Sequence, residues 1–292
     1  MRELISSLRP RQWIKNGFVF AALLFSTTFT EPGRYPPVLL TFLSFCMLSS
    51  GMYLLNDVCD RRNDRKHPLK RNRPIAAGQL NATPAIAWSL ALTTAGLALT
   101  VGVNLRTFYT ALAYVAMIAA YSLGFKRVVY LDVAIVAMGF VLRALAGAYA
   151  VRVYPSPWLL ACTFLLALFL TLNKRLHELT VLEDESHVHR PVLASYSRPL
   201  LIVFIWAVAG LTMGLYAIYV VQPSTVRQLK TEGLIWTIPF VVYGMARYAH
   251  LSIEKNKGGT PTETLLTDWR LLLAVAGWAG TVCLLVFLGM EA

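Results

Sequence analysis

This chain carries little charge. Of its 292 residues only 14% are Asp, Glu, Lys or Arg, while 57% are hydrophobic and the mean hydropathy is +0.56. A soluble domain carries about 25% charged and about 45–50% apolar residues, so a water-soluble fold has no way to hide this much apolar surface. Acids are scarcest, with 15 Asp and Glu against 27 Lys and Arg and a net charge of +12. Cysteine is rare too: Cys46, Cys59, Cys162 and Cys283 lie far apart with no CxxC pair, which excludes a disulfide framework or a zinc site. There is no low-complexity segment and no 20–50-residue repeat, so disordered and solenoid classes fall away. No RNP-type or zinc-finger pattern accompanies the cations, which argues against nucleic acid. The first apolar run, from Trp13, is long and lacks a small-residue cleavage site, unlike a cleavable signal peptide. What remains is a polytopic membrane protein.

A spanning helix needs about 20 mostly apolar residues. Nine stretches approach that length: 13–29, 36–55, 83–103, 107–124, 130–150, 156–172, 199–221, 233–250 and 269–289. Prolines bracket many of them, as helix boundaries require (Pro32, Pro36, Pro155, Pro157, Pro199, Pro223). The expected fold is all-α, a bundle of nine transmembrane helices forming one integral membrane domain over residues 1–292. With the N-terminus in the cytoplasm, 21 of the 27 Lys and Arg fall on the inner side, and five (Arg34, Arg106, Arg152, Arg227, Lys230) lie outside. That asymmetry satisfies the positive-inside rule for a plasma-membrane (inner-membrane) protein. The loops 56–82, 173–198 and 251–268 and the Lys126-Arg127 turn then share the cytoplasmic face, and chemistry is expected there.

The sharpest motif is Asn56-Asp57-Val58-Cys59-Asp60-Arg61-Arg62-Asn63-Asp64, at the inner end of the second span. On a continuing helix Asp57, Asp60 and Asp64 stand at i, i+3 and i+7 and share one face. Three carboxylates on one stripe repel unless cations join them. Mg²⁺ takes oxygen ligands, keeps several waters and bridges one or two carboxylates to substrate phosphates. A solvated turn neutralised by Arg61, Arg62 and Arg65 is the bland alternative. Seven basic residues lie between Arg61 and Arg73; they suit phosphate oxygens and equally an anionic lipid surface.

The next inner turn carries Tyr121, Lys126, Arg127 and Asp132. Arg143 follows Asp132 by eleven residues, about 16 Å along a helix on nearly the same face. An ionisable residue inside a span is a functional candidate, with a structural ion pair as the competing reading. The third cluster is Asn173-Lys174-Arg175-Leu176-His177-Glu178, followed by Glu183-Asp184-Glu185 and Arg190; Lys174 and Glu178 form a possible i, i+4 pair, the acids at 183–185 read as a solvated face, and a lone His177 is weak evidence for a metal. At the N-terminus Arg9-Pro10-Arg11-Gln12-Trp13-Ile14-Lys15-Asn16 mixes cations, amides and an indole, which is both an interfacial belt and a place for a lipid phosphate.

Asn56-Asp57-x-x-Asp60-x-x-x-Asp64 after a second span, nine spans, and Tyr121…Lys126-Arg127 after a fourth resemble the UbiA superfamily of intramembrane prenyltransferases over essentially the whole chain. The resemblance implies helices around a cavity that opens to the cytoplasm and laterally to lipid, with two polar motifs holding Mg²⁺ and a diphosphate. Most such enzymes carry a second aspartate-rich motif after the sixth span, where this chain has Asn173-Lys174-Arg175-x-x-Glu178. With the N-terminal stretch, Tyr121-Ser122-Leu123-Gly124-Phe125-Lys126-Arg127 and Leu142-Arg143-Ala144, that departure is similar to the decaprenyl-phosphate phosphoribosyltransferase branch. This branch implies phosphoribosyl pyrophosphate as donor and a polyprenyl phosphate as nucleophile. Its product is a polyprenyl-phosphoryl ribose 5-phosphate used for cell-wall arabinan.

Three anionic groups meeting in one site need extra cations, and Lys174 and Arg175 supply them. On this reading Asp57, Asp60 and Asp64 hold Mg²⁺, with Asn56 orienting them. The residues expected to act in catalysis are these three acids with Lys126 and Lys174. Donor phosphates fall to Arg73, Lys126, Lys174 and Arg175, and the acceptor headgroup to Arg9, Arg11, Gln12 and Lys15. Tyr121, Arg127, Asp132, Arg143, Asn173 and Glu178 complete the substrate-binding candidates. The branch also suggests a homo-oligomer, a trimer. An aromatic or haem prenyltransferase using a prenyl diphosphate, and a transporter, are the rival readings.

Overall fold

Long apolar runs and interrupting prolines yield a structure that is mostly helical, with no strand among its described residues. The computed structural model describes residues 2–26, 31–67, 70–181, 196–255, 259 and 261–291; the acids at 183–185 and Arg190 lie outside them. Arg2–Leu8 forms α1, and a 3-10 stretch, Pro10–Phe20, leads into the single turn α2, Ala21–Leu24. Then come α3 (Tyr35–Lys66), α4 (Ala82–Val103), α5 (Leu105–Leu123), α6 (Leu131–Ala150) and α7 (Pro157–Val181). The remainder is α8 (Arg198–Val221), α9 (Pro223–Leu229), α10 (Ile238–Ile253), α11 (Pro261–Thr267) and α12 (Trp269–Glu291).

Among the described residues six helices are long and apolar enough to cross a membrane, against the nine spans expected. The first expected span, 13–29, is 3-10 up to Phe20, tightened behind Pro10, and continues only as the single turn α2 within the described residues. The eighth, 233–250, is a 3-10 turn (Gly233–Thr237) followed by the 16-residue α10, which carries Pro239 in its first turn. The fourth, 107–124, is the 19-residue helix α5, long enough to span but not apolar enough to count among the six.

Lipid-facing side chains such as Leu90 and Val203 remain about 60% exposed, as expected where hydrocarbon replaces water. Between helices, small residues permit close approach. Ser44 Oγ donates to the Gly96 carbonyl at 2.8 Å and Ser89 Oγ to the Gly51 carbonyl at 2.7 Å, stitching α3 to α4. The tightest approach is at Gly147 on α6, where an added Cβ would lie 1.8 Å from the Val19 carbonyl oxygen. Gly147→Ala must therefore push the 3-10 segment off α6. A loss of at least about 3 kcal/mol is expected, the upper end of overpacking costs, read as a lowered unfolding midpoint in detergent; an unchanged midpoint contradicts this packing.

Apolar clusters fill both halves of the bundle. Val19, Phe45, Leu48, Ala111, Tyr114 and Ala146 fill the first half; Phe169, Leu172, Leu201, Ile205, Met245 and Tyr248 fill the second. A cavity runs between the halves. At 32 residues, α3 spans about 48 Å against a hydrocarbon core of about 30 Å. Its last turns therefore rise past the apolar layer and carry the aspartate motif to the mouth of that cavity.

Candidate active site

Asn56, Asp60, Asn63 and Asp64 line a cavity of about 620 Å³. Their spacing of i, i+4, i+7 and i+8 is one face of α3, so the helical repeat explains their convergence. Asp57 stands one position off that face, 2% exposed and outside the lining. Its carboxylate accepts from Arg9 Nη2 at 2.6 and 2.8 Å and from Arg73 Nη1 at 3.0 Å. The same Arg73 nitrogen reaches Asp64 at 2.7 Å. Lys126 Nζ donates to Asp60 at 2.5 Å and to Asn56 Oδ1 at 3.4 Å. Three cations from three separate segments thus neutralise three carboxylates of one helix, and Arg9 also lies 4.9 Å over the Tyr53 ring.

A second network braces the wall. Asp132 is fully buried; Tyr196 Oη donates to it at 2.6 Å, and Arg175 Nε approaches its other oxygen at 2.9 Å without the alignment of a hydrogen bond. Arg175 also pairs with Glu178, so its charge is already met by two acids. Burial, reinforced by the Asp132 carboxylate, pushes the Tyr196 phenol well above its ordinary range. The Tyr196 hydroxyl in turn accepts the Tyr130 N–H at 3.0 Å, holding Tyr130 at φ 63, a left-handed conformation that costs about 1–3 kcal/mol and needs such support. Lys174, 4.0 Å from Glu178, lines the cavity. At the foot of α12 the Asp268 carboxyl accepts from Arg247 at 2.7 Å and from the Leu271 N–H at 2.9 Å. The Arg247 guanidinium holds that carboxyl below its usual range.

Arg9, Lys15, Asn56, Asp60, Asp64, Arg73, Tyr121, Lys126, Arg127, Arg143, Lys174, Arg175 and Glu178 all meet at this cavity. Five sequence-picked residues do not. Arg11 is exposed, and neither it nor Gln12 lines the space, because the 3-10 segment spends its inward positions on Ile14, Lys15 and Phe18. Asp57 backs the wall, and Asp132 is enclosed by Tyr196 and Arg175. Asn173 is buried, its amide donating to the Phe169 carbonyl at 2.8 Å. His177 packs against the Gly259 backbone instead of the cavity. Sequence reasoning passed over Asn63, Tyr53, Tyr114 and Tyr196. The seven-residue step from Asn56 signals Asn63; nothing local signals Tyr196, whose contact spans 64 residues.

The metal expectation meets a specific geometry. Among the described residues no three His, Cys, Asp or Glu converge as a ready-made cage. Asp60, Asp64, Asn56 and Asn63 nevertheless present only oxygen-bearing groups to the cavity, a donor set that fits a hard cation completed by substrate phosphates.

A second cavity of about 440 Å³, almost wholly apolar, adjoins the first and shares Ile14, Phe18, Leu170, Pro261 and Leu265 with it. The helical membrane bundle thus joins a cation-rich polar chamber to an apolar one. Comparisons give the particulars. The fold superposes on a UbiA homologue from Archaeoglobus fulgidus solved with DMAPP and Mg²⁺, with a TM-score of 0.74 over 98% of this chain and 99% of that one at 17% identity. The sequence is 33% identical to the decaprenyl-phosphate phosphoribosyltransferase of Corynebacterium glutamicum over 98% of this chain and 87% of that protein. It is likewise 33% identical to the enzyme of that name from Mycolicibacterium smegmatis, over 96% and 91%. The profile of the UbiA prenyltransferase family matches residues 17–266. The chain belongs to the UbiA prenyltransferase family and is a transferase, which sets the transporter reading aside.

Proposed function

We propose that this protein transfers the 5-phosphoribosyl group of phosphoribosyl pyrophosphate to a polyprenyl phosphate of the decaprenyl class and releases pyrophosphate, in a magnesium-dependent reaction. The observation that carries the proposal is the cavity's cation surplus: Arg9, Lys15, Lys70, Arg73, Lys126, Arg127, Arg143, Lys174 and Arg175 line it against Asp60, Asp64 and Glu178, and the cations still outnumber the acids when Asp57 and Asp132 behind the wall are counted. A single prenyl diphosphate needs fewer cations than a donor with two phosphate groups meeting an acceptor phosphate. Relatives 33% identical over nearly the whole chain bear the corresponding name.

In the proposed reaction the ribose C1–oxygen bond to pyrophosphate breaks while a lipid phosphate oxygen bonds to C1 from the opposite face. The nucleophile is already ionised at neutral pH, so no strong general base is needed, and placing two anions in line is the main task. Asp60 and Asp64, with Asn56 and Asn63, would hold Mg²⁺, which supplies charge neutralisation on the diphosphate. Arg73 and Lys126 bind donor phosphates, exchanging carboxylate contacts for phosphate ones, and Lys174 adds a third cation. Asp57 holds Arg9 and Arg73 in place, while Arg175, with Asp132, braces the wall. The apolar cavity takes the first isoprene units of the acceptor. The N-terminus and the cavity mouth face the cytoplasm, where the soluble donor is found, and the product feeds cell-wall arabinan.

The test mixes purified protein with labelled phosphoribosyl pyrophosphate and decaprenyl phosphate, with Mg²⁺ or EDTA, and extracts the lipid phase. Magnesium-dependent label in that phase is expected. No label across several chain lengths, together with transfer from a prenyl diphosphate to an aromatic acceptor, overturns the proposal in favour of prenyl transfer.

A further inference from the structure

Arg143 is buried to 6% exposure within α6, yet among the described residues it meets no acid. Its Nε donates to Asn16 Oδ1 at 2.8 Å, Nη1 to the Gly139 carbonyl at 2.8 Å and Nη2 to Tyr114 Oη at 2.9 Å. All three acceptors are neutral, and two of the five guanidinium N–H groups are left over. The Tyr114 and Phe140 rings flank it at 4.7 and 5.4 Å. Lys15, also on the cavity wall, has neither a hydrogen bond nor an ion pair among the described residues. By contrast, Arg9 has Asp57, Arg73 has Asp57 and Asp64, Lys126 has Asp60, and Arg175 has Asp132 and Glu178.

Two uncompensated cations inside a membrane bundle are costly unless an anion joins them. The surroundings are built to keep this one accessible. Gly139 is bare, and an added Cβ there would lie 3.4 Å from Arg143 Nη1. Asn16, which fixes Nε, is itself held by α3, donating to Ser49 Oγ at 3.2 Å and Cys46 Sγ at 3.3 Å. The guanidinium is therefore oriented before any ligand arrives.

We infer that Arg143 and Lys15 form a second anion site, deeper than the aspartate motif, that binds the phosphate monoester of the lipid acceptor. Depth and continuity select the lipid over the soluble donor. Arg143 lies eleven residues below Asp132, about 16 Å along α6, whereas the donor's diphosphate has its oxygen ligands and cations at the mouth. Ile14 and Phe18, on either side of Lys15 in sequence, belong to both cavities, so an anion held there projects its attached chain into the apolar chamber. A ribose phosphate has nothing to place in that chamber. The inference rests on the proposed phosphoribosyl transfer for the acceptor's identity, but the anion site stands on the geometry alone.

The experiment measures equilibrium binding to the detergent-solubilised protein with neither donor nor Mg²⁺, by native mass spectrometry. The probes are a C15 prenyl monophosphate, the C15 alcohol and inorganic phosphate. Wild-type protein is expected to prefer the monophosphate over the alcohol by at least tenfold and to retain inorganic phosphate poorly. Arg143→Gln abolishes that preference. Lys15→Gln, which removes no hydrogen bond or ion pair among the described residues, reduces it severalfold. In turnover assays both variants raise the KM for the lipid phosphate at least tenfold and leave the KM for phosphoribosyl pyrophosphate within about twofold. Unchanged monophosphate affinity in both variants overturns the site, and a selective rise in the donor KM overturns its assignment to the acceptor. Arg143-dependent monophosphate binding in a protein that shows no phosphoribosyl transfer upholds the site while the reaction reading falls.

Discussion

Asp60→Ala is expected to lower phosphoribosyl transfer at least about 10³-fold, some 4 kcal/mol of transition-state stabilisation, in a protein that still folds. Asp60 is the carboxylate of the motif most open to the cavity, at 21% side-chain exposure against 3% for Asp57 and 6% for Asp64. Its one described partner is Lys126, a side chain that itself faces the cavity. Removing Asp60 takes away an oxygen ligand of the proposed cation and lets Lys126 swing from its donor-binding position, so two contributions to leaving-group stabilisation fall together. The fold depends little on this pair because both groups are partly hydrated. Turnover with saturating Mg²⁺, alongside size-exclusion behaviour and unfolding midpoint, makes the check. Turnover within tenfold of wild type in a folded Asp60→Ala protein contradicts the role.

Arg73→Met is expected to lower both activity and stability. One guanidinium nitrogen bridges Asp57 and Asp64, and among the described residues Asp64 has no other hydrogen-bond or ion-pair partner although it is only 4% exposed. Without Arg73, Asp64 must bury an unpaired charge or take up a proton, while Asp57 keeps Arg9 alone. Breaking a buried pair costs about 3–5 kcal/mol; Arg73 is itself 25% exposed, so about 2 kcal/mol is the discounted expectation. At about 2–4 °C per kcal/mol for a chain of this size, the unfolding midpoint falls by roughly 4–8 °C. Transfer falls about 10²-fold because a donor-phosphate ligand is lost and the carboxylates spread. Arg73→Lys restores part of the stability, because a single ammonium nitrogen can still donate to both carboxylates, and little of the activity, since it lacks the planar fork that binds a phosphate bidentately. Equal rescue of both by Lys contradicts a bridging role.

Much of this was legible before any coordinates. Hydropathy and the Lys/Arg distribution identified an all-α membrane bundle with its polar groups gathered at one end. The aspartate motif announced itself because a helix repeats every 3.6 residues, so Asp60, Asp64 and their companions had to converge if α3 continued. Span counting was less secure. Around Pro10 and in 233–253 the apolar run is as long as elsewhere, but prolines and glycines redirect the backbone into 3-10 turns that hydropathy does not register.

Composition, helical periodicity and the local spacing of the motif are properties of neighbouring residues, and the sequence alone determined them: a membrane-embedded, all-helical chain presenting carboxylates, amides and cations at a helix end. Pairing is a property of distant ones. Whether Asp57 faces the cavity or holds Arg9 and Arg73 behind its wall, whether Arg175 meets a substrate or Asp132, and whether Arg143 has an acid beside it were decided only when segments up to 127 residues apart came together. A buried charge takes its role from the partner that packing supplies.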